Sequence, residues 1–549
     1  MKKILLLPIT LILTSCDLST FLSLPPLSNE SVTSNIASES EDNSVTISTE
    51  DSATSQSTLI TSDNHNYEPV DERYQPLGAD KTNSEEYYEF WDSSSKIKLD
   101  LNINQTNIQR ISENGKDKNS PSNDYYFPAD LTLTMNGRDY AFPEVGVRMK
   151  GNTSRVDFAP EGTIQQAANF KISFNELWDD VVYEQFDLYK TWTSADAAYL
   201  ERDDRTLFGM KKIDVKWNKS NDPAIMSQPF INRFFGSEVT GLLYIPRSTL
   251  GQIVMGPTNM GVYILNEVID STLIKRFIPD QTAVGDLYKA TYNGTGPASL
   301  NLYDAVDVNG GVYTPKSNWI GKEDLVNYVY PPYEIKTNES TTNHLGLINF
   351  LRAINESKYL SENEVENRLQ NTIDISAFIR YAAAAYLVGN PDDLRNNFNN
   401  YYMYFDSGTS QVAFIPYDND WALGIGIPEY NFGGLQMAEI SPLHTERHIG
   451  DQLYQSNPLY WYLIIEEASG DINWSNDYPL IKKYQDQYLL EVQRLFNLDV
   501  FSKANFQTLY NRYRVNYEGV GSDIDSNSSF EGVNTFNEYH NRLANSISV

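Results

Sequence analysis

Cysteine, histidine and positive charge are all scarce in this chain of 549 residues. The single cysteine, Cys16, lies in an N-terminal leader, so the folded part cannot contain a disulfide, an iron–sulfur cluster, a cysteine-ligated zinc ion or a thiol nucleophile. Five histidines argue against a histidine-rich metal site. The 42 Lys and Arg residues face 73 Asp and Glu residues, which gives a formal net charge of -31. This balance argues against nucleic acid as the main partner, but it is compatible with a small basic pocket for a phosphorylated ligand.

Long apolar runs are missing as well, apart from a short one at the start of the chain. Residues 4–13 are mostly apolar and follow Lys2 and Lys3, and such a run is too short to span a bilayer of roughly 30 Å. The run ends in Leu-Thr-Ser before Cys16, an arrangement that resembles a bacterial lipobox. We therefore predict a lipoprotein signal peptide over 1–15, lipidation of Cys16, and an extracytoplasmic protein anchored to the cell membrane. An ordinary secretory signal with a chance cysteine is the alternative.

A stretch without basic residues follows the leader. Residues 17–72 contain no Lys or Arg but eleven acidic residues, and Ser or Thr occupies 17 of the 36 positions in 28–63. Such a composition cannot bury enough apolar surface to offset the loss of chain entropy on folding. The sequence therefore predicts a disordered acidic tether over 16–85. Its Ser-acidic steps would also suit phosphoacceptor sites.

Strand and helix patterns begin after the tether. An alternating run ends in Asn136-Gly137 and is followed by a second apolar run, which predicts a hairpin with a tight turn. Helical periodicity over 341–386 stops at Gly389-Asn390-Pro391, as a helix does at glycine and proline. The mixture of the two patterns predicts an α+β fold.

Two of the predicted strands carry cations beside a polar loop. Arg148 and Lys150 lie on a strand that enters the loop 151–154, and Lys171 lies on the next strand, 169–174. Lys and Arg side chains together with loop amides can hold phosphate oxygens, although cations on surface strands are often only solvated.

Polar side chains are densest after the predicted helix that ends at Gly389. The stretch 392–400 is followed by a strand, 412–415, that leads into Asp418-Asn419-Asp420. The two carboxylates at positions i and i+2 project the same way and suit Mg²⁺ or Mn²⁺, which take oxygen ligands. A hydrogen-bonded turn around Asp418 and a solvated polar loop over 392–400 are the alternatives.

Taken in order, these segments resemble the CotH family of atypical protein kinases, first recognised as spore-coat proteins. The resemblance runs along most of 95–430, and six motifs in the right order are more specific than any one of them. It implies a divergent two-lobed protein-kinase-like fold, with a mixed-sheet N-lobe over 86–268 and a mainly helical C-lobe over 269–549. The motifs are VGVRMKGNTS (145–154), NFKISF (169–174), GVYILNEVID (261–270), GDLYKA (285–290), GNPDDLRNNFNNYYMY (389–404) and FIPYDNDWALG (414–424).

The resemblance also implies roles for individual residues near the predicted metal site. Asp418 would be the chief ligand of Mg²⁺ or Mn²⁺, with Asp420 as a helper and Asn400 as a second ligand. Asp393 or Asp392 would be the base that accepts the proton of the acceptor hydroxyl. We favour Asp393 with Asn400. Two choices stay open, because the five-residue spacing of many family members joins Asp392 to Asn397 and because Asn399 is a further amide in the same loop.

On the nucleotide side, the resemblance implies that Lys171, with Arg148 and Lys150 beside it, contacts the phosphates of ATP. Glu267 would meet the adenine or the ribose, or else serve as a carboxylate at a helix start. Lys289 lies in a matched motif and has no assigned role. One departure from the family pattern is Ser227-Gln228-Pro229, where we expect proline to delay or kink a helix.

These observations predict a membrane-anchored CotH-type kinase that transfers the γ-phosphate of ATP to Ser or Thr of surface proteins, its own tether included among the candidate substrates. The main alternative is a non-catalytic surface adhesion or interaction lipoprotein, a pseudokinase. A third hypothesis is transfer of another nucleotide-derived group. A protease-type zinc site at His444 and His448 is rejected, because Glu446 does not occupy the position that the motif requires.

Overall fold

The computed structural model describes most of the chain from residue 84 onward, with gaps. The predicted signal peptide, Cys16 and nearly all of the predicted tether lie outside the described residues, as do 152–154 and His448. The residues described belong to one compact unit, Thr58–Val549. Among the helices described, none is both long and apolar enough to cross a bilayer. The described ranges are 84–116, 125–151, 155–193, 196–217, 226–279, 281, 283–291, 298–300, 333–357, 359–426, 433–445, 457–465, 467–468, 479–518 and 529–547.

Seven strands form a closed barrel in the order β1-β2-β3-β4-β5-β7-β6. Neighbouring strands are antiparallel except β1 and β6, which run parallel and close the barrel. Buried and more exposed side chains alternate along β1 and β2, as the two-residue period of a strand requires. The strands are β1 (Ile97–Asn102), β2 (Phe127–Met135), β3 (Arg138–Met149), β4 (Phe170–Ser173), β5 (Lys212–Lys216), β6 (Ser248–Met255) and β7 (Thr258–Glu267).

A tight turn joins β2 to β3, and it confirms the predicted hairpin. Met135 ends β2 and Arg138 begins β3, so the turn has two central residues. These residues, Asn136 and Gly137, have φ values of 50° and 79°. Turns with positive φ at both positions match the twist of the flanking strands, and Asn and Gly adopt that conformation at low cost.

The parallel seam of the barrel is bonded by a residue near the end of the chain. The buried side chain of Asn516 accepts a hydrogen bond from the backbone N–H of Ile97 (2.8 Å) and donates one to the carbonyl of Ser95 (3.0 Å). Gln252 of β6 donates to the backbone carbonyl of Asn516 at 2.8 Å. Asn516 therefore contacts both sides of the seam where β1 meets β6.

The rest of the described chain is mainly helical and surrounds a second sheet. This sheet is antiparallel with the order β11-β10-β8-β9, and a short parallel pair, β12 and β13, lies elsewhere. The strands are β8 (Asp286–Ala290), β9 (Tyr333–Ile335), β10 (Tyr401–Phe405), β11 (Val412–Pro416), β12 (His444–Thr445) and β13 (Glu467–Ala468). The helices are α1 (Glu85–Phe90), α2 (Gln105–Lys116), α3 (Ala197–Asp204), α4 (Ser227–Phe235), α5 (Ser237–Thr240), α6 (Ser271–Phe277), α7 (Leu345–Asn355), α8 (Glu362–Gln370), α9 (Ile375–Val388), α10 (Pro458–Leu463), α11 (Lys482–Phe496), α12 (Lys503–Tyr513) and α13 (Ser529–Ile547).

Helix α9 delivers the polar loop, and its end confirms the sequence prediction. The helix begins after Asp374, whose carboxylate accepts from the backbone N–H of Ala377 at 3.0 Å. It ends at Gly389, which has a φ of 58°. A Cβ at this position would lie 2.1 Å from the hydroxyl oxygen of Tyr539, so conformation and space both require glycine.

The combination of helices and sheets confirms the α+β class, whereas the barrel is a feature that the sequence did not predict. The strands assigned to an N-lobe sheet close on themselves through the parallel pair β1 and β6. Pro229 lies in the first turn of α4, where its missing N–H costs no helical hydrogen bond. This position removes the reason to expect a kink within α4.

Candidate functional site

The site begins with charged side chains on one face of the barrel. Lys212, Asp214 and Lys216 alternate with apolar residues along β5, so they share a face. The strand register puts Asp214 beside Lys171 of β4, and Lys171 beside Arg148 of β3. Side chains that face each other on neighbouring antiparallel strands lie about 5 Å apart. This face therefore carries a cationic row that contains one carboxylate.

Asp214 forms ion pairs with two of the lysines that the sequence assigned to phosphate binding. Its Oδ2 atom lies 2.5 Å from Nζ of Lys150, and its Oδ1 atom lies 3.4 Å from Nζ of Lys171. Burial disfavours the ionised carboxylate, but the charges of Lys150 and Lys171 outweigh burial and hold the pKa of Asp214 well below its usual range. The ammonium groups of Lys150 and Lys171 therefore both lie beside the carboxylate of Asp214.

Lys171 is the less tightly held of the two lysines. Burial lowers the pKa of Lys171 to about 8, because the charge of Asp214 offsets burial only in part and the neighbouring Arg148 and Lys150 repel a further positive charge. For Lys150 the opposite holds, since Asp214, Tyr417 and Asp418 outweigh burial and raise its pKa. A polyanionic ligand would relieve the repulsion among these cations.

The turn after β11 brings two carboxylates to the same row. Nζ of Lys216 contacts Oδ1 of Asp418 and lies 3.0 Å from Oδ2 of Asp420. Although burial opposes ionisation of Asp418, the charges of Lys216 and Lys150 lower its pKa. One ammonium group thus touches both carboxylates, so Asp418 and Asp420 converge on a single cation.

Three non-glycine residues of this region have positive φ. Phe398, Asn400 and Asp418 adopt left-handed conformations with φ values of 57°, 53° and 53°. A non-glycine residue with positive φ is uncommon, and such residues cluster where surrounding contacts fix a functional geometry. Two of the three are residues that the family resemblance assigned to metal binding.

Asp392 lies at the centre of a group of asparagine amides. It accepts hydrogen bonds from Nδ2 of Asn397 and, at 2.7 Å, from Nδ2 of Asn400. Asn399 Nδ2 lies 3.5 Å from both of its oxygens. Burial raises the pKa of Asp392 to about 6, and while the hydrogen bond from Asn397 opposes this rise, the charge of Asp420 adds to it. Asp392 is therefore within electrostatic range of the Asp418–Asp420 turn.

Asp393 has a different environment. Its Oδ1 atom accepts from the backbone N–H of Asn396 at 2.9 Å and from Nδ2 of the same residue at 3.0 Å. Its side chain is buried, and no group of the described residues forms a hydrogen bond with Oδ2. Burial raises the pKa of Asp393 to about 7. The sequence favoured Asp393 as the base, but the geometry favours Asp392, which shares Asn400 and Asn397 with the candidate metal site.

Lys289, left without a role by the sequence, lies against the same cluster. Its Nζ is 5.0 Å from the centre of the Tyr417 ring, and Lys150 lies 5.8 Å from that centre. The hydroxyl of Tyr417 is 3.4 Å from Nζ of Lys150. Burial works against the charge of Lys289, yet Tyr417 and Glu334 raise its pKa. Lys289 is thus a further cation of the site.

Glu267 bonds to a different set of partners. Its carboxylate forms an ion pair with Arg276 and accepts a hydrogen bond from the hydroxyl of Tyr87 at 3.0 Å. Oε2 also accepts from the backbone N–H of Arg247 at 3.1 Å. These partners come from α1, from α6 and from the residue before β6, and none of them belongs to the cationic row. This arrangement favours a structural role over a contact with adenine or ribose.

The residues fit a divalent cation by their chemistry. Asp418, Asp420 and the amide oxygens of the 397–400 segment are the hard oxygen donors that Mg²⁺ and Mn²⁺ prefer. A positive group, the ammonium of Lys216, already bridges the two carboxylates. The buried Oδ1 atom of Asn397 accepts no hydrogen bond from the part of the chain that the structure describes. Within the described ranges, however, no three His, Cys, Asp or Glu side chains are grouped so as to hold a metal, so a site here would need the amides.

Asp214, Lys216 and Tyr417 are residues of the cluster that the sequence did not single out as site candidates. The signal that could have found the first two is the alternation of charge in Lys-Ile-Asp-Val-Lys over 212–216, a pattern that aligns charged side chains on one strand face. Tyr417 directly precedes Asp418, but nothing in its sequence context indicates that it packs against two lysines.

Comparison with known protein families identifies the family of the chain. A family described as CotH kinase protein matches residues 185–547, which is more than half of the chain. The chain therefore belongs to the CotH family. The matched range includes β5, the Asp392 loop and the Asp418–Asp420 turn, and it begins after Lys150 and Lys171. A search of curated proteins found no match to the chain.

Proposed function

We propose that this protein is an ATP-dependent protein kinase that transfers the γ-phosphate of ATP to Ser or Thr hydroxyls. One observation carries the proposal: a row of partly buried lysines on the barrel contacts the same turn, Asp418–Asp420, that lies within electrostatic range of Asp392. Phosphoryl transfer depends mainly on positioning and charge neutralisation, and these are the groups that it needs.

The local charge supports a polyphosphate ligand. Arg148, Lys150, Lys171 and Lys289 gather on one surface of a protein whose formal net charge is -31. Asp214 balances only part of this charge. Lysine and arginine are the residues that bind phosphate oxygens through charge-assisted hydrogen bonds.

Each group has a part in the proposed reaction. Lys171 and Lys150 bind the phosphates, with Arg148 beside them. Asp392 accepts the proton of the attacking hydroxyl, with Asp393 as the alternative base. Asp418, Asp420 and Asn400 or Asn397 hold Mg²⁺ or Mn²⁺, which when bound neutralises the phosphate charge.

We propose further that the barrel and the helical part correspond to the N-lobe, 86–268, and C-lobe, 269–549, of a divergent kinase. We also propose that Cys16 carries a lipid anchor, so that the enzyme acts outside the cell membrane on Ser/Thr-containing surface proteins. The leader sequence and the acidic tether support the location. The tether itself, rich in Ser and Thr, is a candidate substrate.

The test is transfer of labelled phosphate by the full chain with ATP and Mn²⁺ or Mg²⁺. We expect label from the γ-phosphate and none from the α-phosphate on the chain or on a Ser-rich acceptor. Asp418→Ala should abolish labelling, whereas Asp139→Ala, an exposed position on the β2–β3 hairpin, should leave it unchanged. Label from the α-phosphate would instead support transfer of a nucleotidyl group, and no label with either would refute both.

One observation favours the second candidate, a non-catalytic surface adhesion or interaction module. Lys216 already occupies the position between Asp418 and Asp420, where a kinase would need a metal. In that case the wild-type protein would show neither labelling nor a shift of its melting temperature with ATP and Mn²⁺. Binding to a partner surface would then persist in Asp418→Ala.

A further inference from the structure

A line of hydrogen-bonded amide and hydroxyl groups, most of them buried, runs from the barrel to the Asp418–Asp420 turn. Ser248 Oγ donates to Asn266 Oδ1 at 2.6 Å, and Asn232 Nδ2 donates to Ser248 Oγ at 2.6 Å. Gln228 Nε2 donates to Asn232 Oδ1 at 2.7 Å. The backbone N–H of Asn419 then donates to Gln228 Oε1 at 2.7 Å. We call this line, Asn266–Ser248–Asn232–Gln228–Asn419, the amide relay.

Both ends of the amide relay meet groups of the proposed site. Asn266 of β7 is the register partner of Asp214, the carboxylate that holds Lys150 and Lys171. At the other end, Asn419 lies between Asp418 and Asp420 in sequence.

A further amide, Asn390, joins the two candidate loops to each other. Its Nδ2 donates to Asn419 Oδ1 at 3.0 Å, and its Oδ1 accepts from the backbone N–H of Asp392 at 3.0 Å. The base, the metal turn and the cationic row are thus connected through hydrogen bonds and one pair of neighbouring strands.

Two residues of the amide relay, Gln228 and Asn232, are buried on helix α4 among apolar side chains. Gln228 is 5% exposed and Asn232 is 4% exposed, and they lie four residues apart on α4 among Phe230, Ile231 and Phe234. Buried amides stabilise a fold only when each finds a partner, and apolar side chains would fill the same space without that requirement. The two amides therefore have a role beyond filling the core.

That role follows from the conformation of the metal turn. Asp418 has a φ of 53°, a left-handed conformation that is uncommon for residues other than glycine. The acceptor that fixes the next backbone N–H, that of Asn419, is the side chain of Gln228. We propose that Gln228 is a positioning residue, which fixes the Asp418–Asp420 turn relative to the lysines of the barrel and so sets the affinity for a divalent metal with ATP. This inference rests on the proposed function.

The test compares Gln228→Met with Gln485→Met in the full chain. Gln485 is a matched control, because it is also a buried helical glutamine and its amide bonds to the carbonyl of Ile464, in another part of the fold. The first readout is hydrogen exchange of the backbone over 416–426 without ligand. We expect exchange there to rise at least tenfold in Gln228→Met and to stay unchanged in Gln485→Met.

The second readout is the affinity for Mn²⁺ in the presence of a non-hydrolysable ATP analogue, followed by the paramagnetic resonance signal of free Mn²⁺. We expect Gln228→Met to weaken binding at least tenfold and Gln485→Met to change it less than twofold. Equal effects of the two substitutions on either readout would overturn the inference. If Gln228→Met does not fold, Ser248→Ala, which interrupts the same relay with a smaller change, should shift both readouts in the same direction, and an unchanged exchange rate would count against the inference.

Failure of the proposed function is a separate outcome. A wild-type chain that binds no Mn²⁺ with the analogue refutes the kinase proposal, because no metal–nucleotide site then exists. The exchange readout still decides whether Gln228 holds the turn, since it requires neither metal nor nucleotide.

Discussion

At the scale of single residues, Asp392 and Asp393 are neighbours in sequence with different surroundings. Asp392 is bonded to three asparagine amides and feels the charges of Asp418 and Asp420, whereas Asp393 bonds to Asn396 and is enclosed by the core. The sequence could not separate them, because adjacent residues in an irregular loop have no fixed side-chain direction. The two residues of the five-residue spacing, Asp392 and Asn397, are joined by a hydrogen bond in the structure.

The first prediction compares Asp392→Asn with Asp393→Asn. We expect Asp392→Asn to lower the rate of γ-phosphate transfer by about 10²–10⁴-fold, the usual contribution of a positioned base, with a small change in melting temperature. Asp393→Asn keeps the shape and the Oδ1 acceptor, so we expect a rate within a few-fold of wild type. Transfer rates at saturating ATP measure both. The reverse ranking would make Asp393 the base.

The second prediction concerns the pH dependence of stability. Burial raises the pKa of Asp393 to about 7, so the folded protein binds this proton more tightly than the unfolded chain does. The resulting stabilisation is complete below about pH 4 and is lost as the pH rises toward 7. The melting temperature of Asp393→Asn, which cannot titrate there, should therefore increase relative to wild type from pH 4 to 8. A difference that stays constant with pH would contradict the buried titration.

At the scale of secondary structure, β5 does the most to assemble the site. Among its alternating charged residues, Asp214 forms ion pairs with Lys150 and Lys171. Lys216 forms ion pairs with both carboxylates of the Asp418–Asp420 turn. The sequence of β5 shows this alternation of charged and apolar residues, which predicts that the charged side chains share one face of the strand. This alternation does not predict which residues pair with each charge, because the partners come from the β3 and β4 segments and from the turn after β11.

The third prediction is that Asp214→Asn destabilises the fold. This substitution keeps the size of the side chain but leaves Lys150 and Lys171 buried without their shared counter-charge. Removing one partner from a buried ion pair typically costs about 3–5 kcal/mol. Urea unfolding should show this loss. The exposed Asp139→Asn is the control and should change stability by less than about 0.5 kcal/mol.

At the scale of the whole molecule, local sequence patterns predicted turns and helix ends but did not predict the pairing of strands that are far apart in the chain. The Asn136-Gly137 hairpin and the end of α9 at Gly389 depend on residues close in sequence, and the structure confirms both. Closure of the barrel depends on β1 pairing with β6, and these strands are separated by four others in the chain. No period or turn signal contains that pairing, which is why the sequence predicted a mixed sheet in the N-lobe without its closure into a barrel.

The fourth prediction tests the long-range contact at the barrel seam. Asn516→Ala leaves the N–H of Ile97 and the carbonyl of Ser95 without their buried partner. Each such loss costs about 1–3 kcal/mol, so we expect a destabilisation of roughly 2–6 kcal/mol in urea unfolding. Asn505→Ala, at a partly buried asparagine of α12 that bonds to Val500, is the matched control and should cost less. An equal loss of stability in both variants would mean that the contact of Asn516 at the seam stabilises the fold no more than an ordinary asparagine hydrogen bond does.

The position of Asn516 also bears on how the protein is made. The residue that bonds the β1–β6 seam lies 419 positions after Ile97. A ribosome synthesises the amino-terminal end first, so every barrel strand has been made before the hydrogen bonds of Asn516 can form. The last barrel strand, β7, ends at Glu267, so residues 268–515 are made before Asn516 can bond the seam. A ribosome that stops short of residue 516 would release a chain that lacks this bond.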